Sequence, residues 1–382
     1  MAPKITMVGT LPPIKGVSDY CIEQAKELGK SLEVLFINFK SIYPEFLYKG
    51  GGTKENDKVF RFPQTKGVRV ENTLAWYNPF SWAYAGFRAQ GQILHFHWWT
   101  FYLFPVLFTT VAIAKLCGKK IVCTVHNVIG HESGIIDRLL TGTMFLLPDI
   151  FIVHTKNNRK QLVEFFKAGE KKVEVIPHGI YSFYRDSNVP VQEARKKLGI
   201  SQGARTILFF GNIRKYKGLE DLIEAFKSAR LKVPGLHLVI AGKPWDREIG
   251  DYVKGSLQGI EQKTLSLGYI PSSEIKNYFS AADLVVLPYR EFAAQSGPGN
   301  IALAFGKPLL VSSVGGLPEL VASHDAAFKA GDAGQLSSRI EGIFSKKGVL
   351  KGLAADSKAL AKKYSWESIC RATIGIYNKL AP

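Results

Sequence analysis

The chain has 382 residues, of which 46% are hydrophobic and 21% charged. That length predicts two globular domains, each long enough to bury its own core. Ordinary apolar content and modest Gly and Pro (36 and 18 residues) exclude a collagen-like, low-complexity or disordered chain. The net charge of +18 is spread over both halves and favours polyanions, anionic phospholipid surfaces or phosphate-bearing substrates, without choosing among them.

From the start, Pro12-Pro13 and Lys15 follow Met1 too soon for a signal peptide. A strand is predicted over Lys4–Val8, a helix over Ser18–Lys30 and a strand over Glu33–Asn38. No charged residue occurs between Arg88 and Lys115, a stretch long enough to span a bilayer. Gln90, Gln92, His95, His97 and Pro105 interrupt it, and its pattern changes midway, so it reads as a buried strand (Ile93–His97) followed by a helix (Phe104–Leu116). Strands over Lys120–Val125, Ile150–His154 and Val173–Ile176 then alternate with helices over Ile135–Leu147 and Asn157–Ala168. Residues 182–192 carry turn chemistry and no periodicity, which places a linker there.

The second half restarts the programme. Strands are predicted at Thr206–Phe210, His237–Ala241, Thr264–Leu267, Leu284–Leu287, Pro308–Val311 and Ala327–Phe328. Helices at Leu219–Ala229, Ser273–Ser280, Asn300–Phe305, Leu317–Ala322 and Ala333–Lys346 separate them, and an amphipathic helix over about Trp366–Leu380 closes the chain. Such alternation defines two doubly wound α/β domains, each a parallel sheet covered on both faces, with boundaries at 1–185, 186–362 and 363–382. The four cysteines (Cys21, Cys117, Cys123, Cys370) include no C-x-x-C and read as buried thiols in a reducing compartment.

Ligands of open α/β sheets sit outside the carboxyl ends of strands, so chemistry is sought at strand-to-helix junctions. Gly9–Asp19, containing Lys15 and Gly16, leads from the first strand into a helix and offers backbone N–H groups to a phosphate; alone it fits an ordinary connection as well. After the strand ending at Phe210, Gly211-Asn212 is followed by Arg214, Lys215 and Lys217. Cations crowded at one strand end favour a visiting anion over a merely solvated turn. Beyond Pro288, the turn Gln295-Ser296-Gly297-Pro298-Gly299-Asn300 would let a ligand approach main-chain amides.

His126, His154 and His178 each follow a strand, while His95 and His97 lie within one; any of them alone reads as a hydrogen-bonded core residue. No helical H-x-x-x-H pair or cysteine cluster points to zinc, and no Asp-x-Asp ends a strand to hold Mg²⁺. No metal is therefore expected, and Arg and Lys must carry the charge of any bound diphosphate. G-x-S-x-G and the P-loop are absent, which removes the commonest acyl-transfer and NTPase readings.

These junctions, in this order, resemble the GT-B glycosyltransferases, specifically glycosyltransferase family 4, over nearly the full length. The most specific pieces are Phe210–Leu219, Ala281–Pro288, Ala304–Pro308 and Gly315–Glu319, and Tyr364-Ser-Trp366 resembles the start of the family's terminal helix, which crosses back to the first domain. The resemblance implies two Rossmann-like domains facing each other across a cleft. A nucleotide-diphosphate sugar, UDP- or GDP-linked, would be held mostly by the second domain as co-substrate, with no cofactor. It further implies that the nucleobase lies near Gly268-Tyr269-Ile270, that Lys217 and Arg214 neutralise the pyrophosphate, that His126 faces the donor sugar, and that Gly16 belongs to a glycine pair near the phosphates. The implied chemistry retains anomeric configuration without an enzymic nucleophile.

Departures from the pattern are equally visible. The family's Glu-x7-Glu falls on Ala293 and Ile301, so Gln295, Ser296, Gly297, Gly299 and Asn300 are left to do the sugar-side work. Asn212 stands where an arginine is usual, and Lys15 replaces the first glycine of the pair. On the acceptor side, Trp98 and Trp99, with Trp76, Tyr77, Trp82 and Tyr102, are read as exposed aromatics beside the cations of Lys119-Lys120 and Lys156–Lys160. The alternative is that these aromatics are core. Basic charge with aromatics suits an anionic leaflet, which points to a lipid-linked or oligosaccharide acceptor and a cytoplasmic protein peripheral at the inner membrane face. Rival readings are an inverting GT-B transferase or nucleotide-sugar epimerase, for which Asp19 or Glu132 would be the base. Of another class is a nucleic-acid-binding protein, but no recognition motif appears and the charge is diffuse, so no nucleic-acid partner is expected.

Overall fold

The computed structural model describes residues 3–12, 14, 17–42, 65–128, 134–181, 189–292 and 296–381. The chain divides into two α/β units, Met1–Gly179 with Trp366–Pro382, and Ile180–Ser365. In the first, strands β1 (Lys4–Gly9), β2 (Glu33–Ser41), β3 (Val68–Ala75), β4 (Ile93–Trp98), β5 (Lys120–Val125), β6 (Ile150–Val153) and β7 (Val173–Val175) form one parallel sheet in the order β3-β2-β1-β4-β5-β6-β7. Helices α1 (Ser18–Leu28), α2 (Pro79–Arg88), α3 (Phe104–Leu116), α4 (Ile135–Met144) and α5 (Lys156–Phe166) connect the strands.

Both faces of this sheet are covered, so its central strands are apolar throughout and their alternation sorts side chains between two cores. Val8, Leu94, Phe96 and Trp98 join the core beneath α3, whereas Ile5, Met7 and Ile93 join the one beneath α1. The charge-free stretch folds as β4 and α3, and among the described residues no helix is long and apolar enough to cross a membrane. The sequence reading missed β3, a half-exposed edge strand carrying Arg69, Glu71 and Asn72, and α2, whose large residues point outward.

The second unit contains α6 (Val191–Leu198), β8 (Arg205–Phe210), α7 (Leu219–Ala229), β9 (Leu236–Ala241), α8 (Arg247–Ser256), β10 (Lys263–Ser266), α9 (Ser272–Ala281), β11 (Leu284–Leu287), α10 (Gly297–Ala304), β12 (Leu309–Ser312), β13 (Ala327–Phe328), α11 (Ala333–Ser345) and α12 (Val349–Lys363). Its parallel sheet runs β10-β9-β8-β11-β12-β13. Residues 191 and 192 of the expected linker open α6, and the helix expected over Leu317–Ala322 is a single 3-10 turn, Leu317–Leu320, with Pro318 inside it. The strand order reverses direction between β1 and β4 in one sheet and between β8 and β11 in the other. At such points neighbouring connections leave on opposite faces and open a crevice.

Helix α13 (Trp366–Leu380) belongs to the first unit, where Trp366, Ile369, Cys370, Ile376 and Tyr377 share a core with Tyr20 and Leu28. The Trp366 indole lies so close to Gly179 that any side chain there would collide with it, and the Tyr377 hydroxyl bonds His95 Nδ1 at 2.5 Å. Cys21, Cys123 and Cys370 are buried, but Cys117, at the exposed end of α3, is not the buried thiol expected of it.

Candidate active site

Strand β8 of the second unit ends at Phe210 and is followed by Gly211, whose φ of +105° suits glycine. Asn212 follows, exposed, and then the Arg214 guanidinium stacks over the Trp245 ring at 4.0 Å. One 3-10 turn, Lys215–Lys217, reaches Gly218, which has φ +60° and caps α7; a Cβ on Gly218 would strike the Pro288 carbonyl oxygen. This tight reversal folds the Lys217 side chain back over the strand end, where a Cβ built on Gly211 would meet its Nζ at 3.2 Å.

The Lys217 side chain is only 7% exposed, with Nζ 5.3 Å from the centroid of the Tyr289 ring. Burial, helped by the neighbouring Arg214 charge, pulls its pKa down to about 8. No carboxylate pairs with Lys217 or Arg214 among the described residues. Arg290 is the opposite case. It grips Asp221 with two bonds of 2.8 and 2.6 Å, and its amide donates to the Tyr216 carbonyl at 2.8 Å, so it ties the β11 loop to α7. With Glu220 and Asp221 in its first turn, α7 already has its own negative charge.

Past β11, the buried Tyr289 lies 3.2 Å from Ser296 through its hydroxyl, and its carbonyl accepts from Ser312 Oγ at 2.5 Å. Ser296 caps α10, accepting from the Gly299 amide at 3.3 Å, and the first turn of α10 holds no acidic residue. Gly297 is open to added volume, while Gly299 is pressed against Leu320 and Leu287. Asn300 is fully buried, and neither its Oδ1 nor its Nδ2 has a hydrogen-bond partner among the described residues. Leaving such a buried amide unsatisfied costs about 1–3 kcal/mol per group. Ile301 is buried core.

The second unit thus gathers Asn212, Arg214, Lys217, Ser296, Gly297, Gly299 and Asn300 at the β8/β11 switch point. Gly268, Tyr269 and Ile270 follow β10 at the sheet's margin, with Tyr269 67% exposed. Tyr289 and Trp245, which hold the two cations, were missed from sequence; the only signal was an aromatic next to Pro288 and Pro244 respectively. Gln295, Lys15, Gly16 and Glu132 lie outside the described residues.

In the first unit, the Tyr20 ring on α1 sits among His97, His126, His154 and His178, with ring centroids 4.8–5.5 Å away. His126 Nε2 and His97 Nδ1 share a hydrogen bond at 3.1 Å, and burial holds both imidazoles well below their usual pKa. No group of His, Cys, Asp or Glu among the described residues is arranged to hold a metal ion. Asp19 is half-buried in the first turn of α1. The expectation of an exposed Trp98 is overturned: the residue is 2% exposed, edge-on to Phe145, because it shares its strand face with Leu94 and Phe96. Trp99 and Trp82 are half-buried against the same core, whereas Trp76, Tyr77 and Tyr102 are exposed.

Two doubly wound units, each with its candidate ligand residues beyond the strand ends, define the GT-B class of glycosyltransferases. The model for glycosyl transferases group 1 matches residues 190–363, and that for Glycosyltransferase Family 4 matches residues 14–181. The chain belongs to the GT-B glycosyltransferases of the family 4 type. An uncharacterized glycosyltransferase of Methanocaldococcus jannaschii is 27% identical over 304 residues, 75% of each chain. Sucrose-phosphate synthase from Thermosynechococcus elongatus shares the fold with a TM-score of 0.73 at 17% identity, covering 99% of both chains. Anabaena HepE, in complex with UDP and glucose, does so with a TM-score of 0.71 at 14% identity, covering 99% of this chain and 100% of its own.

Proposed function

We propose that this glycosyltransferase moves a hexose-type sugar from a UDP- or GDP-linked donor to a glycan or lipid-linked acceptor, with retention of anomeric configuration. The observation that carries the reading is the pair Arg214 and Lys217, cations without carboxylate partners among the described residues, seated at the β8/β11 switch point beside the N-terminus of α10. In the proposed reaction the bond from the sugar's anomeric carbon to the diphosphate breaks and a bond to the acceptor oxygen forms on the same face. The acceptor's proton passes to an oxygen of the departing diphosphate. Lys217 and Arg214 stabilise the charge that develops on that group, and no metal is called for.

Tyr269 and its neighbours Gly268 and Ile270 are assigned to the nucleobase. Asn212, Gln295, Ser296, Gly297, Gly299 and Asn300 are assigned to the donor's sugar and phosphates. Lys15, Gly16 and His126 are assigned to the donor by the family resemblance. An acceptor held in a membrane would place the protein at an anionic leaflet, in keeping with its charge of +18.

A thermal-shift screen against UDP, GDP and their sugars tests the donor, since a selective ligand raises the melting temperature by mass action. Absence of any nucleotide-dependent shift would remove the assignment. Product configuration by NMR separates retention from inversion, in which Asp19 or Glu132 would have to act as base.

A further inference from the structure

Helix α2 is built inside out. Its buried positions are small: Ala85 and Gly86 face α3, and a Cβ on Gly86 would meet the Thr110 carbonyl oxygen at 2.7 Å. Its outward positions are large, with Phe80 86%, Tyr84 52% and Phe87 70% exposed. Their spacing of i, i+4 and i+7 puts the rings in one stripe, the reverse of what a core-facing helix needs. Trp76 and Tyr77, just before the helix, are exposed too. Helix α3 packs between α2 and α4, and this layer continues outward with Leu116, Ile135, Ile136 and Leu139, all exposed.

Charge says what this face meets. Between Glu71 and Glu132 the sequence holds no Asp or Glu at all. Its cations are Arg88, which closes α2, Lys115 in the last turn of α3, and Lys119 and Lys120 just beyond. Lys120 is exposed and makes no ion pair among the described residues, while Arg88 reaches Glu71 only at 3.5 Å. An apolar aromatic stripe with a cationic end, its neighbouring carboxylates Glu71 and Asp149 already engaged by Arg88 and Lys115, is the pattern that settles at a lipid headgroup boundary. A second copy of the same face would set like charges together.

We propose that the outer face of α2 docks on an anionic lipid bilayer. Phe80, Tyr84 and Phe87 enter the headgroup region, and Arg88, Lys119 and Lys120 meet lipid phosphates. The proposal rests on the reading of a membrane-held acceptor and names the surface that would serve it.

The test is co-sedimentation of the full chain with phosphatidylcholine vesicles, with and without phosphatidylglycerol. The wild-type protein should bind the phosphatidylglycerol vesicles and be released by salt. The F80S/Y84S/F87S variant should bind at least about tenfold more weakly, with its melting temperature and nucleotide-induced shift unchanged. Equal binding by the variant, no binding by wild type, or a concentration-dependent dimer in light scattering that the variant disperses would each overturn the proposal. The donor reading is scored separately: a nucleotide shift without vesicle binding sinks only the docking surface, and vesicle binding without a nucleotide shift sinks only the transferase site.

Discussion

The Lys217 ammonium and the Tyr289 ring come from loops on opposite sides of the β8/β11 switch point and meet at 5.3 Å. The ring face gives the buried cation an attraction without neutralising it, so its charge is kept for something else. Arg214 is held the same way over Trp245, at 4.0 Å. A carboxylate in either place would quench the charge; an aromatic ring only positions it.

Lys217→Met keeps the buried stem and removes the charge. Donor kcat/KM should fall by about 100-fold or more, the loss of about 3 kcal/mol typical of one electrostatic contact to the developing charge. The melting temperature should hold or rise, because an isolated buried charge is removed. Steady-state kinetics alongside calorimetry check both, and unchanged turnover would sink the assignment.

Donor affinity should also depend on pH through this residue. Its pKa lies at about 8 in the folded protein against 10.5 ordinarily, so the free enzyme loses the ammonium as pH rises past about 8. A bound diphosphate favours the protonated form, so KM for the donor should climb above that pH, with proton uptake on binding. The unfolded chain holds more protons between about 8 and 10.5, so this lysine's effect on stability runs the other way and favours the fold as pH rises through that window. Titration calorimetry in two buffers of different ionisation enthalpy measures the uptake.

Asn300→Leu replaces an amide with no hydrogen-bond partner among the described residues by an apolar side chain of similar size. The unliganded variant should be as stable as wild type or more so, because an unsatisfied buried group is gone. The nucleotide-induced thermal shift should shrink if that amide serves the donor, and a full shift in the variant would assign it elsewhere.

Gly218→Ala puts a Cβ against the Pro288 carbonyl at φ +60°. A destabilisation of about 2 kcal/mol or more is expected in urea unfolding, from strain and collision together. Gly297→Ala, at an open position, should cost far less.

Acid should undo the first unit before the second. Burial lowers the pKa of His95 to about 3, His154 to about 4 and His178 to about 3, and depresses His97 and His126 as well. Their folded values lie below the unfolded one, so stability is lost as pH falls below the unfolded pKa, at about 2 kcal/mol for each such imidazole by pH 5. Hydrogen exchange at pH 7 and pH 5 should show protection lost in β4–β6 and kept in β8–β11.

The alternation of strands and helices made both sheets legible, because parallel strands buried on two faces leave continuous apolar runs such as Ile207–Phe210 and Leu284–Leu287. Elements with few buried residues escaped: β3 at a sheet edge, and α8 and α12, each with only two buried residues. Lys217 and Arg214 were readable as cations at a strand end, but the burial of Lys217 depends on Tyr289, distant in sequence and brought near by β11. Trp98 misled for a related reason: one aromatic among several beside lysine-rich segments looks like binding surface until the sheet order places β4 centrally, between β1 and β5. The isolation of the Asn300 amide is a property of packing with no sequence signature.

Helix α13 lends Trp366 and Tyr377 to a core whose other walls are laid down at the very beginning of the chain. During synthesis, the second unit therefore has all its parts before the first does. Ribosome-bound chains ending ahead of Trp366 would leave Tyr20 and His95 without the neighbours that α13 supplies.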